Sequence, residues 1–163
     1  MFFSKIKDFF IKLLLKERDP SRLALTFCLS NLIAWSATVP FQTPLLLIVS
    51  RIVGFDYKIM FAVSFIINNP FTLIPIYMAN YSFGAWFFHN IFKIDMIKYN
   101  PSWTQTFSNY LNKYIDLSKI IGTTNFCFWC LILGSLILPL IINIFLYPIL
   151  KKLFSYLLKK YIN

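Results

Sequence analysis

The sequence predicts an all-α fold, a polytopic integral membrane protein with broken or re-entrant helical hairpins. Three observations predict it. First, the 163 residues are 58% hydrophobic and only 13% charged, against about 25% charged in a soluble domain. A core of this size cannot hide so much apolar surface from water, so lipid is the expected solvent. Second, three runs carry no charge at all: Leu23–Ser50, Ile59–Phe88 and Ile120–Leu150. Third, prolines stand behind potential capping side chains inside those runs, at Thr43-Pro44 and Asn69-Pro70.

The net charge of +10 admits nucleic acid or an anionic membrane surface as partner. The cations gather at the edges of apolar runs, as at lipid headgroups. No basic groove-reading or base-stacking module is visible, so the expected partners are membrane lipids and anionic headgroups, with no nucleic acid. Three cysteines, all in apolar stretches, argue against a disulfide framework.

Four regions follow in order. Residues 1–18 read as an amphipathic basic surface helix. Phe2, Phe3, Ile6, Phe9, Phe10, Leu13 and Leu14 recur at helical spacing, and Lys5, Lys7, Asp8 and Lys12 face the other way. The lysines leave no continuous apolar stretch for a cleavable signal. Either an anionic leaflet or the rest of the protein can take the apolar face.

Residues 19–92 read as a broken-helix membrane core. Leu23–Ser50 would reach about 42 Å as one helix, more than a hydrocarbon core needs. The segment Pro40-Phe41-Gln42-Thr43-Pro44 breaks it. Thr26, Ser30 and Ala34 fall at spacing of four, a small face that lets another helix approach. The run Ile59–Phe88 is expected to break at Asn69-Pro70 and again near Pro75, with Gly84 ending or loosening its final turns. Thr and Asn cap a freed N–H two or three residues on, and proline suits the first helical position. Both breaks therefore read as starts of half-helices. Exposed N–H groups and the helix dipole at such starts favour an anion; alternatively, each cap merely satisfies its own helix.

Residues 93–119 read as a polar loop with an interfacial helix. Ser102-Trp103-Thr104-Gln105 has a capping-box pattern. Trp103, Phe107, Tyr110, Leu111 and Tyr114 then share a face suited to the headgroup region. Residues 120–163 read as a spanning helix with a basic tail, kinked at Pro139. Lys151, Lys152, Lys159 and Lys160, like the amino-terminal cations, mark a cytoplasmic side. Both termini are then cytoplasmic and the number of crossings is even.

Chemistry is sparse. One histidine and six acids, with no carboxylate inside the apolar runs, leave no set for acid–base or nucleophilic catalysis and no metal cluster. No enzyme activity, cofactor or metal is expected. Cys127-Phe128-Trp129-Cys130 has redox spacing, but within an apolar run thiols commonly serve as filler. Asn31, Asn68, Asn69 and Asn125 need partners inside the membrane. Those partners are either neighbouring helices or the water of a polar cavity.

Residues 20–84 resemble a family known as domain of unknown function 2062. The resemblance rests on Pro20-Ser21 before Leu23-Ala24-Leu25, Gln42-Thr43, the block Asn69-Pro70-Phe71-Thr72, then Pro75-Ile76-Tyr77, Tyr81 and Gly84. Leu133-Gly134-Ser135-Leu136 is similar to the family's last membrane helix. The resemblance implies a small, multi-pass protein of the bacterial cytoplasmic membrane. It also implies structural roles for Pro70, Pro75, Tyr77 and Gly84, beside the one that the first break gives Pro44. It implies no established activity. The family favours glycine where Thr26, Ser30 and Ala34 stand here.

Two functional expectations follow. One is a transporter- or channel-like element that handles an anion or a phosphate-bearing headgroup at the broken helices. Thr43, Asn69 and Thr72 would supply cap-directed contacts, and Asn31 or Asn68 would line the path. The alternative is a non-transporting membrane scaffold, either a homo-oligomer or an envelope-assembly partner, with tightly packed breaks.

Overall fold

A computed structural model describes residues 19–36, 41–93, 98, 100–114 and 126–162. The surface helix expected over 1–18, Pro40 of the first break and Asn125 lie outside the described residues. Among the described residues the regular structure is all helical, with no strand. The elements are α1 (Pro20–Trp35), α2 (Gln42–Val53), α3 (Tyr57–Ile67), α4 (Pro70–Phe87) with a π-helical turn Phe88–Phe92, α5 (Trp103–Tyr114) and α6 (Phe128–Ile162).

The chain forms two compact units. One comprises Met1–Ala34, Thr38–Asn68 and Leu140–Asn163; the other comprises Trp35–Ala37 and Asn69–Pro139.

In the first unit, α1 starts at Pro20, where Asp19 Oδ1 accepts from Ser21 N at 2.9 Å. Its small stripe does what the spacing predicts: Thr26, Ser30 and Ala34 are all buried. The core joins Leu23 and Ala24 of α1, Ile59 and Val63 of α3, and Phe154 and Leu158 of α6. A second cluster places Leu46 of α2 against Met60 of α3 and Ile33 of α1. Helix α2 ends at Gly54, whose φ of 72° is left-handed, a conformation that glycine adopts without a Cβ penalty. Arg22 Nη2 donates to Gly54 O at 2.7 Å, placing a cation at the negative end of α2. Asp56 then caps α3 through Lys58 N. Helices α2 and α3 thus form an antiparallel hairpin, with Gln42 beside Ser64 and Asn68 at the open end.

In the second unit, α4 begins at Pro70 and runs unbroken through Pro75 to Phe87. The second break expected near Pro75 is absent. A proline there removes one backbone bond but leaves the remainder of the helix ladder in place. Gly84 is buried within α4, whose α-helical ladder ends at Phe87 and gives way to the wider π-helical turn Phe88–Phe92. A Cβ on Gly84 would lie 1.8 Å from Cys130 O, and one on Gly134 would lie 1.8 Å from Asn80 O. The two helices therefore meet backbone to backbone at reciprocal glycines.

Helix α6 has 35 residues and continues through Pro139. Its stretch Phe128–Lys160 is long and apolar enough to cross a membrane, and only 22% of its most apolar window is buried. A core helix of a soluble protein would be mostly covered. By length and composition the described helices supply one membrane crossing, or two at most. Helix α2, at 12 residues, reaches about 18 Å and cannot span alone.

Candidate functional site

The two breaks differ in how their backbone is satisfied. At Asn69, the side chain accepts from Phe71 N at 2.9 Å and Thr72 N at 3.0 Å, and Thr72 Oγ1 accepts from Asn69 N at 3.2 Å. This is a complete capping box with Pro70 at the first helical position. Asn69 and Thr72 are engaged with their own helix start.

The first break is built otherwise. Thr43-Pro44 is not a cap followed by the first helical residue. Helix α2 starts two residues earlier, with Phe41 as N-cap and no side-chain cap bond. Thr43 and Pro44 are its second and third residues, and Leu45 N is the first to close onto the ladder, at Phe41 O. Proline is tolerated anywhere in that turn, because no first-turn N–H has an intrahelical acceptor. The start of α2 thus presents the positive end of its dipole without a capping oxygen.

That start lines a recess of about 150 Å³ with Gln42, Thr43, Leu46, Phe61, Ser64, Phe65 and Asn68. This is roughly the volume of five waters. Asn68 Nδ2 donates to Ala34 O and to Gln42 Oε1, each at 2.8 Å. Gln42 Nε2 donates to Ser64 Oγ. One amide therefore ties the end of α1, the start of α2 and the end of α3. Thr43 is exposed, and among the described residues no charged side chain lines the recess. Attraction for an anion rests there on the backbone dipole and neutral donors.

Among the expected site residues, the recess brings together Thr43 and Asn68. Asn69 and Thr72 form their own box. Asn31 lies elsewhere in the first unit, where its Nδ2 donates to Asn143 Oδ1 at 2.9 Å and Asn143 Nδ2 donates to Cys28 O at 2.9 Å. That is helix-to-helix bonding. Tyr77 is half-buried on α4. The sequence reading missed Gln42, Ser64, Asn80 and Asn143. The rule applied to the other asparagines, an amide inside an uncharged run, would have found three of them.

On the exterior of α5, Trp103 and Tyr110 are exposed, whereas Thr104 and Ser108 are buried. His89 is exposed and takes no part in the recess. Among the described residues no group of three metal-ligating side chains assembles.

A family model described as "Uncharacterized protein conserved in bacteria (DUF2062)" matches residues 4–162. No curated protein and no solved structure matches the chain.

Proposed function

The chain belongs to this bacterial family, DUF2062, and from that premise we propose a multi-pass protein of the cytoplasmic membrane that binds a phosphate-bearing lipid headgroup at the α2–α3 recess. The observation that carries the reading is the uncapped start of α2, opening into a recess of neutral polar groups. The α2–α3 hairpin is too short to cross and re-enters from one face. Apolar exposure along the described helices, including Ile52, Phe65, Ile144 and Phe145, supports lipid as the surrounding medium. The lysines on α6 support a cytoplasmic carboxyl end, by the rule that cytoplasmic segments carry excess Lys and Arg.

The test is native mass spectrometry of the purified full chain with phosphatidylglycerol or phosphatidylcholine added. Wild type should retain the anionic lipid in preference. Thr43→Val, an exposed change that leaves the amide network intact, should weaken retention about tenfold, as expected for one hydrogen bond to a charged group. Asn69→Ala should leave it unchanged. Equal retention of both lipids, or no difference between wild type and Thr43→Val, would overturn the reading.

The second reading is a non-transporting membrane scaffold. The self-satisfied Asn69 box and the glycine crossing in the second unit support it. It predicts a co-purifying partner or a stable homo-oligomer, with no preference between lipids.

A further inference from the structure

The segment that opens α6 holds chemistry that the recess does not use. Cys127 immediately precedes Phe128, the first helical residue, so it stands where Ser, Thr or Asn normally caps. Its sulfur takes that role: Cys130 N donates to Cys127 Sγ at 3.3 Å. Cys130 Sγ lies 2.6 Å from Cys127 Sγ, and the two are not bridged.

The backbone around the pair is pinned on both sides. Cys127 N donates to the Tyr81 hydroxyl at 3.1 Å. Asn100 bridges the segment, with Nδ2 donating to Phe126 O at 2.7 Å and Oδ1 accepting from Phe128 N at 3.1 Å. Phe126 N donates to Ser108 Oγ at 3.0 Å. An amide donating to the sulfur and the start of a long helix both converge on Cys127 Sγ. Filler thiols need neither.

We propose that Cys127 and Cys130 form a thiol–disulfide exchange site whose oxidant is a low-molecular-weight disulfide. Burial sets the size of the oxidant. Cys127 is 1% and Cys130 6% exposed, so exchange requires local opening of the helix start, and a low-molecular-weight disulfide needs the smallest such opening. The Cys127 thiolate attacks one sulfur of the oxidant, forming a mixed disulfide and releasing one thiolate. Cys130, losing its proton, attacks Cys127 Sγ and releases the second. The two protons of the dithiol end on the two departing thiolates. Two electrons pass from the cysteine pair to the oxidant, and the net products are one intramolecular disulfide and two small thiols.

The test equilibrates the full-length protein in detergent with reduced and oxidised glutathione at graded ratios. Acid quenching, alkylation and peptide mapping then locate the bond. Mapping on wild type needs no substitution; a Cys28→Ser version removes the remaining cysteine. The 127–130 peptide should become two hydrogens lighter, with closure on the order of tenfold more favourable than in the same chain under denaturing conditions. Cys130→Ser should stop at a glutathione adduct on Cys127. A closure constant in the folded protein equal to or below that of the denatured chain, or an adduct that persists on wild-type Cys127, would overturn the proposal.

Discussion

Gly134→Ala is the sharpest probe of the helix packing in the second unit. A Cβ at that position would lie 1.8 Å from Asn80 O, and real Cβ contacts essentially never fall under 3.0 Å, so the two backbones must part by at least 1.2 Å. The obstacle is a main-chain carbonyl, which cannot rotate aside as a flexible side chain would. Asn80 is fully buried, its Nδ2 donates to Trp35 O at 2.8 Å, and its Oδ1 has no hydrogen-bond partner among the described residues. A shift of α4 therefore strains a buried amide as well. Overpacking of this kind costs up to about 3 kcal/mol. Replacing a helical glycine by alanine returns about 1 kcal/mol of propensity. The net expectation is a loss of about 2 kcal/mol, roughly 30-fold in the unfolding equilibrium. Reversible unfolding in mixed detergent micelles, followed by helical circular dichroism, measures it. If Gly134→Ala proved as stable as wild type, or gained the propensity term alone, the close crossing at Gly84 and Gly134 would be wrong.

Other outcomes follow from the same contacts. Asn69→Ala removes the acceptor of two α4 amides and should cost about 1 kcal/mol in the same unfolding assay, while membrane insertion persists. Asn31→Leu or Asn143→Leu each leaves a buried amide partly unpaired and should cost about 1–3 kcal/mol; the double Leu variant should lose less than the sum of the single losses, as measured by a double-mutant cycle. Lys159→Cys, in a chain with Cys28, Cys127 and Cys130 replaced by serine, should react with a membrane-impermeant maleimide in inverted vesicles and not in intact cells. The opposite pattern would place the basic tail outside.

The composition by itself determined the helical class, the apolar α6 and the family resemblance, because these depend on long-range averages of hydropathy and on a local block of residues. The Asn69-Pro70 start was also legible, since a capping box closes within four residues. Thr43-Pro44 carried the same local signal and misled, because a proline suits any first-turn position and only the neighbouring chain selects which. The partners of Gln42, Asn68, Asn31 and Gly134 lie tens of residues away. Whether an amide in a greasy run meets another amide, a carbonyl or an open recess is decided by how the helices pack. That packing divided four similar asparagines into a cap, a cross-helix pair and a recess wall, with Asn125 outside the described residues. It also turned two cysteines at a common spacing into a sulfur that caps a helix and a neighbour within reach.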